Sequence, residues 1–250
     1  MVNASELMVD SVSVAPDEPV LNTIELILGK NISSVIIIDN GILKGVATLR
    51  DFIMRVPWGE KNLNEIKIRD IMTKDVLVVH PEDKIKKVFN LISSREIRVV
   101  PVVSENVVKG VIGRKEIAEL FAEKLGHRYT VRDLMTYRYT SYSIHATLDE
   151  VMDKIIHYNE KSIVVLKGKE VIGIVTLSDI LRHIYRLKKI DGMCPVRDIM
   201  TPNPITAQED DKCDKIARIM IEKRISSLPV VKGQLEGLIS IKCLFKVMEF

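Results

Sequence analysis

The sequence predicts an α/β (α+β) fold built from four tandem β-α-β-β-α repeats that associate in pairs, and three observations carry that prediction. Asp70-Ile71-Met72-Thr73 recurs as Asp133-Leu134-Met135-Thr136 and as Asp198-Ile199-Met200-Thr201, with a degraded copy at Glu6-Leu7-Met8, so the methionines stand 63 to 65 residues apart. A second marker, Gly45-Val46-Ala47-Thr48, returns in phase as Gly110-Val111-Ile112-Gly113, Gly173-Ile174-Val175-Thr176 and Gly237-Leu238-Ile239-Ser240. Between the markers the hydrophobic period switches in a constant order between that of a strand and that of a helix.

Each element follows from local pattern. A short β-rich run comes after the first marker: Ser11 to Val14, Val76 to Val79, Thr140 to Ile144, Ile205-Thr206. It stops at Pro16, at Pro81 or at Glu209-Asp210-Asp211, where carboxylates suit the positive end of a helix dipole. An amphipathic helix follows, with apolar residues one turn apart: Ile85, Val88, Phe89 and Ile92 in repeat two, Leu148, Val151, Met152 and Ile155 in repeat three. Repeat four places Cys213, Ile216, Ala217 and Met220 on that stripe, which makes Cys213 a buried structural thiol. Next come two strands, for example Ser34 to Asp39 and Ile42 to Thr48, joined by the tight-turn dipeptide Asn40-Gly41. Lys167-Gly168-Lys169 and Lys232-Gly233 serve the same purpose later. A final helix starts where the second marker ends, as in Leu49 to Arg55 and Leu177 to Arg186.

One repeat of about 60 residues buries only about 60% of its unfolded surface, whereas two together reach the common domain size. Pairing is therefore expected, with one domain over residues 1–125 (repeats at about 6–56 and 66–125) and another over 126–250 (repeats at about 131–188 and 195–250). Candidate linkers are Pro57 to Asn64, Leu125 to Thr130 and Lys188 to Pro195.

Composition narrows the function classes. Hydrophobic residues are 46% and charged residues 28% of the 250, which excludes wholesale disorder. A formal charge of +3, scattered along the chain, does not predict nucleic-acid binding. Mean hydropathy is high at +0.11, yet no apolar run approaches the roughly 18 residues of a membrane span. The N-terminus lacks the basic start and apolar core of a secretory signal, and Cys194, Cys213 and Cys243 form no paired spacing, so a reducing cytoplasm is expected. His80, His127, His145, His157 and His183 have no metal-ligand spacing and read as surface or loop residues. Arg182-His183, Arg186 and Lys188-Lys189 form a basic cluster of the kind that is usually a solvated helix face.

A unit of this length, opened by D-h-M-T, closed by G-h-h-T-x-x-D and present in pairs, resembles the cystathionine-β-synthase (CBS) domain, and the resemblance covers Glu6 to Phe250. It implies two pseudo-twofold pairs, each a Bateman module, with clefts that bind AMP, ADP, ATP or S-adenosylmethionine and regulate a partner protein. It implies no catalytic role and no cofactor. In such domains the closing hydroxyl residue faces the phosphate, and the Asp three residues later holds the ribose hydroxyls. Thr48 with Asp51 and Thr176 with Asp179 match that pattern. Repeat two has Gly113 and Glu116, without the hydroxyl, and repeat four has Ser240 and Cys243, without the carboxylate, so one strong site per module is expected. Val46, Ile174, Val14, Ile36, Ile144 and Val164 are expected as apolar walls around the base. His80, His145, Arg50 and Arg98 are further residues within conceivable reach of a phosphate.

The residue types suit the task, since a carboxylate offers two acceptor oxygens to a diol and cysteine does not. T-x-x-D before an apolar run is equally a helix N-capping box, which needs no ligand. Three functions thus stand: a sensor of adenine ligands acting on an unidentified partner, a scaffold with vestigial clefts, and, with least support, a nucleic-acid binder. Whether the modules close into one disc or pair with a second chain as a homodimer is open at this stage.

Overall fold

The computed structural model describes residues 2–60, 62–95, 97–125, 128–158, 160 and 162–247. Two compact units make up the chain, one running through Ile117 and one beginning at Ala118. Gly126, where the sequence places the start of the second domain, and His127 lie outside the described residues.

Repeat one contains α1 (Ala4–Leu7), β1 (Ser13–Val14), α2 (Val20–Lys30), β2 (Ser34–Asp39), β3 (Ile42–Thr48) and α3 (Leu49–Arg55). After a 3-10 turn at Leu63–Glu65, repeat two has α4 (Ile68–Ile71), α5 (Ile85–Ser94), β4 (Val99–Ser104), β5 (Val107–Gly113) and α6 (Arg114–Leu125). Repeat three has α7 (Val131–Leu134), β6 (Ser141–Ser143), α8 (Leu148–His157), β7 (Ser162–Lys167), β8 (Glu170–Thr176) and α9 (Leu177–Leu187). Repeat four opens on a 3-10 turn at Val196–Asp198 and continues with β9 (Thr201–Pro202), α10 (Cys213–Glu222), β10 (Ser227–Val231), β11 (Leu235–Ser240) and α11 (Ile241–Leu244).

The hairpins and the amphipathic helices follow the sequence closely. In the Asn40-Gly41 turn both residues have positive φ, as a two-residue turn matched to strand twist demands. Repeat two builds the corresponding turn from Glu105 and Asn106, both at positive φ, without the glycine that would advertise it. Ile85, Val88, Phe89 and Ile92 are all buried, as are Leu148, Val151 and Ile155, and the whole Cys213 stripe.

Two features differ from the sequence reading. The opening strands are shorter than expected: β1 and β6 keep two and three residues, and in repeats two and four only Val79 and Ala207 make a bridge to the hairpin. Each is an edge segment paired on one side, so little holds more of it extended. The first marker is itself structured. Its acid sits at the third position of a one-turn helix and accepts the backbone N–H at the helix start: Glu6 from Asn3 at 2.8 Å, Asp70 from Lys67 at 2.9 Å, Asp133 from Thr130 at 2.8 Å. Four residues are too few for a hydrophobic period to reveal them.

What holds a pair together is an exchange of these first markers. Val9 of repeat one bonds Val111 of repeat two in both directions, and Thr73 of repeat two bonds Val46 of repeat one likewise, all at 2.9–3.0 Å. The second unit repeats the arrangement with Thr136 on Leu238 and with β9 laid along β8, Thr201 opposite Ile174. The marker methionine then lies over the marker glycine of the other repeat: Met8 over Gly110, Met72 over Gly45, Met135 over Gly237, Met200 over Gly173. The two motifs recur in one register because they touch, each supplied by the opposite member of the pair.

Candidate functional site

The site is built at the junction of β3 with α3, and of β8 with α9. Thr48 and Thr176 are the last residues of their strands and the N-caps of the helices, with extended backbone. Each threonine donates its backbone N–H and its Oγ1 to one carboxylate oxygen: Asp51 Oδ2 at 2.8 and 2.7 Å, Asp179 Oδ2 at 2.9 and 2.6 Å. Both acids are buried, 9% and 8% exposed. The capping box weighed from the sequence is therefore formed at both places.

The second oxygen of each acid meets an arginine of its own helix, and that of Asp179 also reaches the other repeat. Asp51 Oδ1 lies 3.3 Å from Arg55 Nη1, and that guanidinium also donates to the Ile71 carbonyl at 2.8 Å and to Thr73 Oγ1 at 3.3 Å. Asp179 Oδ1 accepts from Thr201 Oγ1 at 3.0 Å and lies 3.5 Å from Arg182. Thr73 and Thr201 occupy the same position in their markers. Sequence reading missed both threonines and both arginines as site residues. The only available signal was the recurring threonine of D-h-M-T, whose partner lies far away in the chain.

The even-numbered repeats start their closing helices differently. In repeat two Glu116 Oε2 accepts the Gly113 N–H at 2.8 Å. In repeat four the direction reverses: Ser240 Oγ accepts the Cys243 N–H at 3.3 Å, and no carboxylate is involved. Repeat one supplies Val9 rather than threonine opposite Glu116, so only the odd-numbered sites combine an acid with a hydroxyl from the other repeat.

The expected walls divide by register. Ile36 stands opposite Val46 on β2 and β3, and Val164 opposite Ile174 on β7 and β8, each pair on the same face as the site threonine two residues on. Val164 belongs to a buried cluster with Leu235 and Leu238 of repeat four. Val14 is in register with Ile37 and so lies on the opposite face from Ile36, while Ile144 follows the end of β6 and donates its N–H to the Leu166 carbonyl at 2.9 Å.

The histidines do not all lie at the surface. His80 is exposed, and its Nδ1 is 2.9 Å from the Val103 carbonyl. His183 is buried, 6% exposed, and its Nε2 has no hydrogen-bond partner. In the basic cluster Arg182, Arg186 and Lys189 are exposed, and only His183 turns inward, with Arg186 against it; Arg182 meets Asp179, and Lys188 covers the Tyr185 ring. Burial pushes the His183 imidazole below its usual range, with Arg186 adding to the shift and Asp191 and Asp198 opposing it. The unfolded chain thus holds a proton that the folded chain refuses, so stability rises with pH up to the ordinary value of 6.5 and is lost on acidification through the folded value. Urea unfolding measured between about pH 7 and pH 5 should lose less stability in His183→Leu than in the wild type, and equal slopes would refute this. Burial likewise pushes the Cys213 thiol up to about 12, reinforced by Asp133, Asp214 and Cys243, which keeps it a neutral core group.

Comparison with known proteins matches this geometry. The CBS domain family model matches four times, at residues 4–57, 68–123, 131–186 and 196–249, leaving only short linkers between the matches. Protein MJ1225 of Methanocaldococcus jannaschii is 23% identical over 192 residues, 72% of this chain and 69% of that protein. Its crystal structure, that of a proposed archaeal homolog of g-AMPK, superposes with a TM-score of 0.87 at 19% identity over 98% of this chain and 99% of that one. A conserved protein of Pyrococcus horikoshii gives a TM-score of 0.66 at 21% identity, again over 98% and 99%. A homoserine O-acetyltransferase of Methanococcus vannielii is 32% identical over 127 residues, half of this chain but only 25% of that enzyme. With four matches over nearly all its length, paired markers and the same fold, the chain belongs to the CBS domain family.

Proposed function

We propose that the protein is a non-catalytic regulatory sensor. Each pair of repeats binds an adenine ligand, AMP, ADP, ATP or S-adenosylmethionine, at Thr48/Asp51 and at Thr176/Asp179, and occupancy is transmitted to a partner protein. The observation that carries this reading is the second oxygen of each acid. At Asp179 it accepts from a threonine of the opposite repeat, so a ribose diol that competes for this oxygen acts on both repeats at once. Ile36 with Val46, and Val164 with Ile174, supply the apolar surface for a base. A ligand signals only where it binds two conformations with different affinity, and a bond shared between two repeats offers that difference. The likeness to a proposed g-AMPK homolog supports a regulatory role, as does the absence of room between the four matches for another domain. We place the division between the modules at residues 125/126, and the protein in the cytoplasm, where its three free thiols suit a reducing environment.

One observation favours the scaffold reading: both acids are already satisfied as helix caps. A thermal shift screen with AMP, ADP, ATP and S-adenosylmethionine separates the two, because ligand at about 100 times its dissociation constant adds about 2.7 kcal/mol of stability. The sensor reading expects such a rise with at least one ligand, and no shift with any of them sinks it. Among the described residues no helix is long and apolar enough to cross a membrane.

A further inference from the structure

The residue one helical turn after the site acid differs between the two units. Arg55 stands four residues after Asp51 and His183 four residues after Asp179, each on the same helix face as its acid. In the first unit that position bridges the pair: Arg55 donates to the Ile71 carbonyl at 2.8 Å and to Thr73 Oγ1 at 3.3 Å, both in the marker of repeat two. Its guanidinium keeps its charge at any physiological pH. In the second unit the same position holds a side chain that titrates.

His183 is buried, and its contacts select the neutral ring. Nδ1 lies 3.4 Å from Arg186 Nη2, and because a guanidinium only donates, Nδ1 carries the lone pair and Nε2 the hydrogen. That Nε2 is itself buried without a hydrogen-bond partner. A proton added at Nδ1 points at a cation, and neither ring N–H then has an acceptor. Arg186 on α9 disfavours the imidazolium, whereas Asp191 on the linker and Asp198 on the turn that opens repeat four favour it. The same three charges act on the Cys194 thiol of the linker, which burial keeps neutral, so it adds no charge of its own. Asp179 and Arg182, one turn earlier on α9, meet each other at 3.5 Å.

A buried imidazolium without an acceptor is costly, so a protonated ring is drawn out toward Asp191, which is half-buried, and Asp198, which is exposed. That movement disturbs the site, because Asp179 Oδ1 takes the Thr201 hydroxyl at 3.0 Å and Thr201 lies three residues after Asp198 in the same marker. We propose that protonation of His183 opens the contact between α9 and the marker of repeat four, so that acidification weakens adenine binding in the second unit and spares the first. The protonated ring is the form that folding rejects, so the effect sets in below the ordinary histidine value of 6.5 and is absent above it. By reciprocity, ligand bound in the second unit lowers the pH at which His183 takes its proton. The inference rests on the reading of Thr176/Asp179 as an adenine site and adds the regulation of that site.

Two measurements test this. Asp51→Ala protein, in which the second site is the one expected to bind, is titrated calorimetrically with AMP, ADP, ATP and S-adenosylmethionine at about pH 7 and about pH 5, beside Asp51→Ala/His183→Asn. With His183 present, affinity is expected to fall at least about threefold more than without it, since one linked proton changes affinity by up to about tenfold per pH unit. Ligand phosphates titrate alike in both proteins, so the difference belongs to His183. Independently, NMR spectra of the ligand-free wild type follow the His183 ring and the Thr201 amide over the same range, where one shared midpoint below that of a free histidine is expected. This second measurement needs no variant to fold. Equal pH dependence with and without His183, or a Thr201 amide that does not follow the ring, overturns the switch and leaves the adenine reading standing. A shared midpoint with no ligand bound at either pH upholds the opening of the contact and overturns the adenine reading.

Discussion

Gly45→Val is expected to destabilise the first unit by about 3 kcal/mol, the upper end of the usual range for forcing extra carbon into a packed site. A Cβ at Gly45 would stand 2.7 Å from the Thr73 carbonyl oxygen and 2.8 Å from Met72 Sδ. The sulfur can swing aside, but the carbonyl is fixed by its own bond to the Val46 N–H at 3.0 Å. Gly110 faces the same obstacle, with the Val9 carbonyl oxygen 2.7 Å away. At Gly173 the nearest atoms all belong to the Met200 side chain, which has other rotamers, so Gly173→Val is expected to cost less, about 1–2 kcal/mol. The control is Gly29→Ala in α2, where nothing lies within 4 Å and an added methyl lowers the entropy of the unfolded chain, for a gain of about 0.5–1 kcal/mol. Urea midpoints of the three proteins test the ordering. Similar midpoints for Gly45→Val and Gly29→Ala would show that the exchange of markers does not hold the pair together.

Asp179→Ala is expected to lower the affinity of the second unit for its adenine ligand by about 100-fold and to cost about 2 kcal/mol of stability. The affinity loss follows from two charge-assisted hydrogen bonds at about 1.5–3 kcal/mol each before compensation. The stability loss combines a helix cap, worth about 1 kcal/mol, with the stranding of Thr201 Oγ1 and Arg182. Asp51→Ala should remove the other site, with a smaller loss of stability. Its carboxylate engages one arginine, and that arginine keeps the Ile71 carbonyl as a partner. Cys243→Ala, at the corresponding place in repeat four, should leave affinity for either ligand unchanged. Titration of each variant against the ligand found in the thermal screen decides the matter: if Cys243→Ala alone abolishes binding, the clefts lie at the even-numbered repeats and the assignment fails. Asp179→Ala with reduced stability and full affinity would make this acid a cap and nothing more.

Hairpins and amphipathic helices were legible because their evidence is local. Asn40-Gly41 announces its turn, and Ile85, Val88, Phe89 and Ile92 announce a helical stripe, without reference to any other repeat. The one-turn helices of the first marker escaped notice because a single turn carries no period. The turn at Glu105-Asn106 escaped because neither residue is a glycine. His183 read as a surface histidine because Arg182 and Arg186 bracket it, and only packing around α9 turns it inward.

The amino-acid sequence alone determined the number of repeats, their order of elements and the family they resemble, since each rests on periodicity and residue type along the chain. It also located Thr48, Asp51, Thr176 and Asp179, and left open whether they cap a helix or hold a ligand. Only the tertiary structure decided why the two markers travel together: a methionine and a glycine some 100 residues apart, as at Met8 and Gly110, must share one contact. It alone brought Thr73 and Thr201 to the sites. The physical reason is the same in each case. These features are meetings between segments far apart in sequence, and a linear pattern records which residues are present but not which of them folding brings into contact.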